Sequence, residues 1–176
     1  FSAAQAAIYQ LVLDAQRAAI AAVKPGASFL TPLEAALTVL AQGMLDTGLL
    51  DRNRVGDLDA VIADASYRQF YMHGTGHWLG RDVHDVGEYL SLAEAPGPQI
   101  DTTGKAVVTK PSRRLQPGMV VTLEPGLYVR PAPGVRKLVG FDPQSADELL
   151  VLMDSVAKPL AALSLKTAAI TALAYD

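Results

Sequence analysis

The chain has 176 residues, half of them hydrophobic and 19% charged, with a net charge of −3 and no cysteine. That length suits one domain with a real hydrophobic core, and the weakly acidic balance gives no electrostatic reason to expect nucleic acid or an anionic membrane as a partner. The lack of cysteine excludes disulfides and thiolate metal sites and fits a reducing compartment. No apolar run approaches the roughly 20 residues needed to span a bilayer, and no basic stretch followed by an apolar one opens the chain. A soluble, cytoplasmic protein is the expectation. The start, Phe1-Ser2-Ala3-Ala4-Gln5 with no initiator methionine, reads as an internal cut in a longer chain.

Taken in order, Ser2 is a candidate N-cap for a first helix. Behind it Ile8, Leu11, Val12, Ala15, Ala19 and Ala22 recur at helical spacing, and Lys24-Pro25-Gly26 ends the run. Thr31-Pro32-Leu33-Glu34 has the form of a capping box with proline at the first helical position, opening a second helix that runs through Ala36, Leu37, Leu40 and Met44 to near Gly48. After the polar break Asp51-Arg52-Asn53-Arg54, a third helix is predicted from Leu58 to about Phe70. From residue 71 the texture turns to glycine, proline and short apolar runs. Lys105 to Lys110 is a predicted strand. Met119 to Glu124, after the turn Pro117-Gly118, is a clearer one, and Leu127-Tyr128-Val129 resumes it beyond Pro125-Gly126. Glu148 to Met153 is another predicted strand, and an alanine-rich helix is predicted around Leu165 to Leu173. Helices first and strands later predict an α+β fold, with helices on one face of a mixed or antiparallel sheet, as one unit over 1–176.

All three histidines and the only tryptophan fall between His73 and Tyr89. Polar groups cost free energy to bury unpartnered, so their gathering in one stretch points to a working site. His73 and His77 are four apart, as in a zinc peptidase helix, but Gly74 stands where that motif needs glutamate, and Gly74 and Gly76 disfavour a helix. The glycines instead predict backbone that comes close to something, or an extended segment with unusual torsions. Imidazole serves as metal ligand or general acid and base, and a hard metal would also need carboxylates. Glu124 is the candidate. It ends an apolar strand before a proline-glycine break, and its side chain is expected to be buried.

The run Tyr71-Met72-His73-Gly74-Thr75-Gly76-His77-Trp78-Leu79-Gly80-Arg81-Asp82-Val83-His84-Asp85-Val86-Gly87 resembles the histidine signature of the aminopeptidase P (Xaa-Pro aminopeptidase) family. Leu115 to Tyr128, with Glu124-Pro125-Gly126 inside it, is similar to that family's next signature, and the resemblance covers residues 1 to about 130. It implies the pita-bread fold and two divalent metals, commonly manganese, held by two aspartates, one histidine and two glutamates. It implies His77 as the histidine ligand and Glu124 as the first glutamate, beside the attacking water. It also implies His73 and His84 on the substrate side. The reaction implied is release of an N-terminal residue from a peptide with proline second.

The resemblance places the two aspartate ligands upstream of Phe1. The family's run containing the second glutamate matches at Gly134-Val135-Arg136, which puts Arg136 on the substrate side but Leu138 or Ala146 at the ligand position. Glu148 is the spare glutamate that could substitute. The expectation is therefore the C-terminal part of a pita-bread metallopeptidase domain, inactive alone and binding no ion or one weakly. Its partners would be a second copy or the segment that carries the missing ligands. A catalytically dead pita-bread module that binds peptide or protein is the alternative, and a structural domain with incidental histidines a third.

Overall fold

A computed structural model of the chain describes residues 3–129 and the pair 171–172. It opens with helix α1 (Ala3–Ala22) and α2 (Thr31–Asp46), followed by two short helices, α3 (Arg52–Val55) and α4 (Leu58–Ala63), and a 3₁₀ turn at Ser66–Gln69. Strands follow: β1 (Leu79–Gly80) with β2 (Val83–His84), β3 (Gly97–Ile100) with β4 (Ala106–Thr109), and β5 (Val120–Val121) with β6 (Thr171–Ala172). All three pairs are antiparallel. The α+β expectation holds, with the sheet divided among the described residues into three two-stranded pieces.

The helices pack as their periodicity requires. Ala15 and Ala19 of α1 and Ala36, Leu37, Leu40, Ala41 and Met44 of α2 are buried, and the two helices lie against one another. Small residues let the axes approach closely. At Gly43 the approach is tightest: a Cβ there would lie 2.2 Å from Leu11 Cδ1. Glycine inside a helix costs about 1 kcal/mol relative to alanine, and the space it leaves is filled by the leucine.

Several sequence expectations are corrected. Thr31 is not a side-chain cap. Leu30 takes the N-cap position without one, and Ser28 Oγ instead accepts from the Leu30 amide at 3.1 Å. The polar break at 51–54 is itself helical, because Asp51 accepts from the Asn53 amide and caps α3. The predicted third helix stops at Ala63. Ala65 takes φ of 56° and turns the chain back, which sets Tyr67, Phe70 and Tyr71 into the core. The strand predicted over Met119–Glu124 is reduced to Val120–Val121, although its pairing extends further through an irregular ladder. Of the helix predicted around Leu165 to Leu173, the described part, Thr171–Ala172, is a strand. Ser2 and the strand predicted at Glu148 to Met153 lie outside the described residues.

Two irregular ladders join the helical part to the rest. Gly26 and Phe29 donate to Leu115 and Arg113, and Leu115 returns a bond to Ala27, while Arg113 and Ser91 link this segment onward to Tyr89 and Pro111. The second ladder carries the site.

Candidate metal centre

Residues 75–78 run antiparallel to 121–124. The amide of Thr122 donates to the His77 carbonyl at 2.9 Å, that of Glu124 to the Thr75 carbonyl, and Trp78 bridges Val121. The His77 amide finds Thr122 Oγ1 at 3.0 Å. Gly76 makes this closeness feasible, since a Cβ there would fall 1.8 Å from the Thr122 carbonyl oxygen. The glycine thus answers a close backbone approach, as its position among polar residues predicts. Gln16 of α1 donates to the Leu123 carbonyl at 3.1 Å, which ties the residue before Glu124 to the long helix.

The ladder sets His77 beside Glu124, with Nε2 3.0 Å from Oε1. His77 Nδ1 lies 2.8 Å from the Trp78 carbonyl. A carbonyl only accepts, so this nitrogen carries the proton, and in the neutral ring Nε2 presents a lone pair to a carboxylate. Two lone pairs facing each other need a proton or a cation between them. Two ligands about 2.1 Å from one ion and at right angles lie about 3.0 Å apart, the separation seen. A backbone carbonyl that orients the far nitrogen is also the usual support of a ligating histidine. The pair therefore fits part of a cation's ligand set. Among the described residues, no three histidine, aspartate or glutamate side chains come together as a ligand group.

Glu124 is not buried as expected. Its side chain is 45% exposed against 13% for His77. It stands on the last rung of the ladder, where the Thr75 pairing ends and Pro125 takes the buried place, so the carboxylate faces the open rim. His84 is exposed as well, its ring centroid 4.0 Å from that of His77 and inclined at 62°. His73 lies further along. Its Nδ1 donates to the Gly74 carbonyl at 2.6 Å, and its ring stands edge-on to Tyr71 and Tyr128 at 5.3 and 5.2 Å. Arg136 and Glu148 lie outside the described residues.

Two tyrosines belong to the site and were not singled out from the sequence. Tyr128 touches His73, and its hydroxyl pKa is raised by burial and then by the negative charge of Glu124. Tyr71 is buried under His73, with its hydroxyl bonded to Thr75 Oγ1, and burial raises its pKa in spite of that bond. Tyr128 follows Glu124 by four residues in a segment with no regular period, so spacing gave no signal for it. Behind the ladder, Phe29, Trp78 and Tyr89 form an aromatic group. Phe29 stands 4.7 Å from Trp78, which stacks on Tyr89 at 6.1 Å. Gly87 lets the following loop close over Trp78, because a Cβ there would meet the indole at 2.7 Å.

Comparison with known proteins agrees with this geometry. Residues 1–151 match the model for metallopeptidase family M24. The chain is 43% identical over 129 residues to an Xaa-Pro aminopeptidase of Haemophilus influenzae, covering 73% of this chain and 25% of that protein. It is 38% identical over 128 residues to a human Xaa-Pro dipeptidase, covering 73% and 24%. It spans about a quarter of the length of the curated relatives it matches. The structure of Pseudomonas aeruginosa aminopeptidase PepP superposes with a TM-score of 0.62 at 32% identity, over 88% of this chain and 36% of that one. Proline aminopeptidase P II from Yersinia pestis does so at 0.59 and 32%, over 86% and 36%. The chain belongs to metallopeptidase family M24, and over the part it spans it has the α+β pita-bread fold of the aminopeptidase P structures.

Proposed function

We propose that this domain forms one wall of a metal-dependent site that releases the N-terminal residue of a peptide with proline second. The observation that carries the reading is the His77–Glu124 pair, with Nε2 of the ring turned to a carboxylate oxygen at 3.0 Å. His77 Nε2 and Glu124 Oε1 would hold a divalent cation, and imidazole with hard carboxylate oxygen suits manganese. Such an ion, when bound, polarises a carbonyl and makes water nucleophilic near neutral pH.

The protein groups around it do the rest. The free oxygen of Glu124 takes a proton from the water. His84, exposed beside His77, donates to the substrate carbonyl oxygen as that oxygen gains charge. His73 keeps its proton on Nδ1, against the Gly74 carbonyl, and so offers Nε2 as an acceptor for the peptide's amino end. Tyr128 packs on His73 and keeps that ring in place. Arg136 and Glu148, outside the described residues, stay the candidates for a substrate contact and a further ligand.

Two donors hold a hard cation weakly, with water in the remaining positions. In this reading the chain alone binds one ion weakly and is inactive. Its working partners are the peptide and either a second copy or the segment that supplies further ligands. A second reading, a non-catalytic module that binds peptide or protein, is favoured by the lack of a third converging ligand among the described residues.

Calorimetric titration with manganese, paired with an Xaa-Pro peptide assay, tests both. The expected result is weak binding of one ion, abolished in His77→Ala and kept in His84→Ala. Unchanged binding in His77→Ala refutes the ligand assignment. Tight binding with turnover by the chain itself sinks the binding-module reading.

A further inference from the structure

Val83 has φ of 70°, and the His84 amide donates to the Asp82 carbonyl at 2.9 Å. A bond from residue i+2 back to i around a positive φ is a γ-turn, here of the rarer, strained form with Val83 at its centre. A β-branched residue at positive φ is a marked outlier. Burial does not hold it there, because the valine is 60% exposed. Glycine, asparagine or aspartate would sit there at lower cost. Strain of this kind persists only where the surroundings over-determine it, and it gathers at functional sites.

The surroundings do over-determine it. Leu79 pairs with His84 and Gly80 with Val83. One rung on, the Asp85 amide donates to the Trp78 carbonyl at 3.0 Å. The same carbonyl accepts from His77 Nδ1. One oxygen therefore anchors the His77 ring and the residue that follows His84. Gly80 closes the turn, since a Cβ there would lie 2.4 Å from Asp85 Cγ. The outcome is an exposed His84 ring held 4.0 Å from His77, with no hydrogen bond of its own ring among the described residues to keep it there.

We infer that the γ-turn centred on Val83 is the device that holds His84 against the His77–Glu124 pair, which makes Val83 a positioning residue. The use of this arrangement in catalysis rests on the peptidase reading above, whereas the geometry does not. The turn, and not the valine's own preference, holds the ring, so a residue barred from positive φ should release it while glycine, which accepts that φ, should keep it.

The test compares Val83→Gly, which keeps the positive φ, Val83→Pro, whose ring fixes φ at about −65° and forbids it, and Val108→Gly as a control at another exposed valine, in strand β4. Glycine loosens the unfolded chain equally at both sites, so a difference between them reports strain in the folded state. Val83→Gly is expected to keep or raise Tm while Val108→Gly lowers it. The nuclear Overhauser contacts between the His77 and His84 ring protons are expected to survive in Val83→Gly and to weaken several-fold in Val83→Pro. A fall in Tm for Val83→Gly matching Val108→Gly, or ring contacts at full strength in folded Val83→Pro, overturns the inference. In a metal-loaded, active form the proline variant should lower kcat and leave KM, and the glycine variant should leave both. Lost ring contact with unchanged kcat would refute the catalytic role of His84 and uphold the positioning.

Discussion

The helical part of this chain and its histidine-bearing part are stabilised in different ways. Residues 3–63 hold together by a stripe of apolar side chains: Ala15, Ala19, Leu37, Leu40 and Met44 are buried, and which neighbour fills each space follows from volume. Residues 71–129 have few regular elements. There the structure depends on backbones brought close by glycine, on one carbonyl shared between two residues, and on a strained turn. The first design tolerates exchange of one apolar residue for another of similar size. The second does not tolerate one added methyl group where backbones touch.

Perturbations should therefore act differently in the two parts. The largest loss of stability is expected for Leu40→Ala, fully buried in α2, at about 2–5 kcal/mol, measured by denaturant unfolding. Gly76→Ala should cost about 1–3 kcal/mol, because its Cβ meets a backbone oxygen that cannot swing away. Unlike Leu40→Ala, it should also abolish manganese binding in the surviving folded fraction. A variant that keeps its metal would show that the ladder does not set the site.

Tyr71→Phe should cost about 1–3 kcal/mol by leaving Thr75 without its buried partner. It also separates the parts by pH. Burial raises the Tyr71 pKa, so its contribution is complete below the unfolded value of about 10 and is lost as pH rises through the higher folded value. Unfolding followed between neutral and strongly alkaline pH should show a shallower decline in the phenylalanine variant. The smallest effect is expected for Asp57→Ala, which removes the cap on the Ala60 amide at 3.0 Å. That should cost about 1 kcal/mol and leave metal binding unchanged, since α4 touches no ligand.

The same contrast explains what the sequence disclosed. The stripe in α1 and α2 is legible because a period of 3.6 reports burial directly. The break at Ala65 is not, for no glycine or proline marks it and the reversal serves the burial of Tyr67, Phe70 and Tyr71. The meeting of Gly43 with Leu11 depends on helix packing, which no single helix reveals. Of the glycines between His73 and His77, only Gly76 answers a close approach, to Thr122, which the sequence does not name as the partner, and Gly74 meets nothing within 4 Å. The histidine and glutamate signatures brought His77 and Glu124 forward together, and the structure sets them side by side. The exposure of Glu124 follows from where the ladder ends, which its own sequence neighbourhood does not state. Tyr128 and the Val83 turn were hidden because an irregular backbone follows no period.

In the proposed function His77 and Glu124 share a cation. The most direct measurement is pulsed electron paramagnetic resonance on the chain with one manganese ion per molecule. An imidazole nitrogen coupled to the manganese is expected, absent in His77→Ala and retained in His84→Ala. Nitrogen coupling that persists in a folded His77→Ala variant would contradict the account.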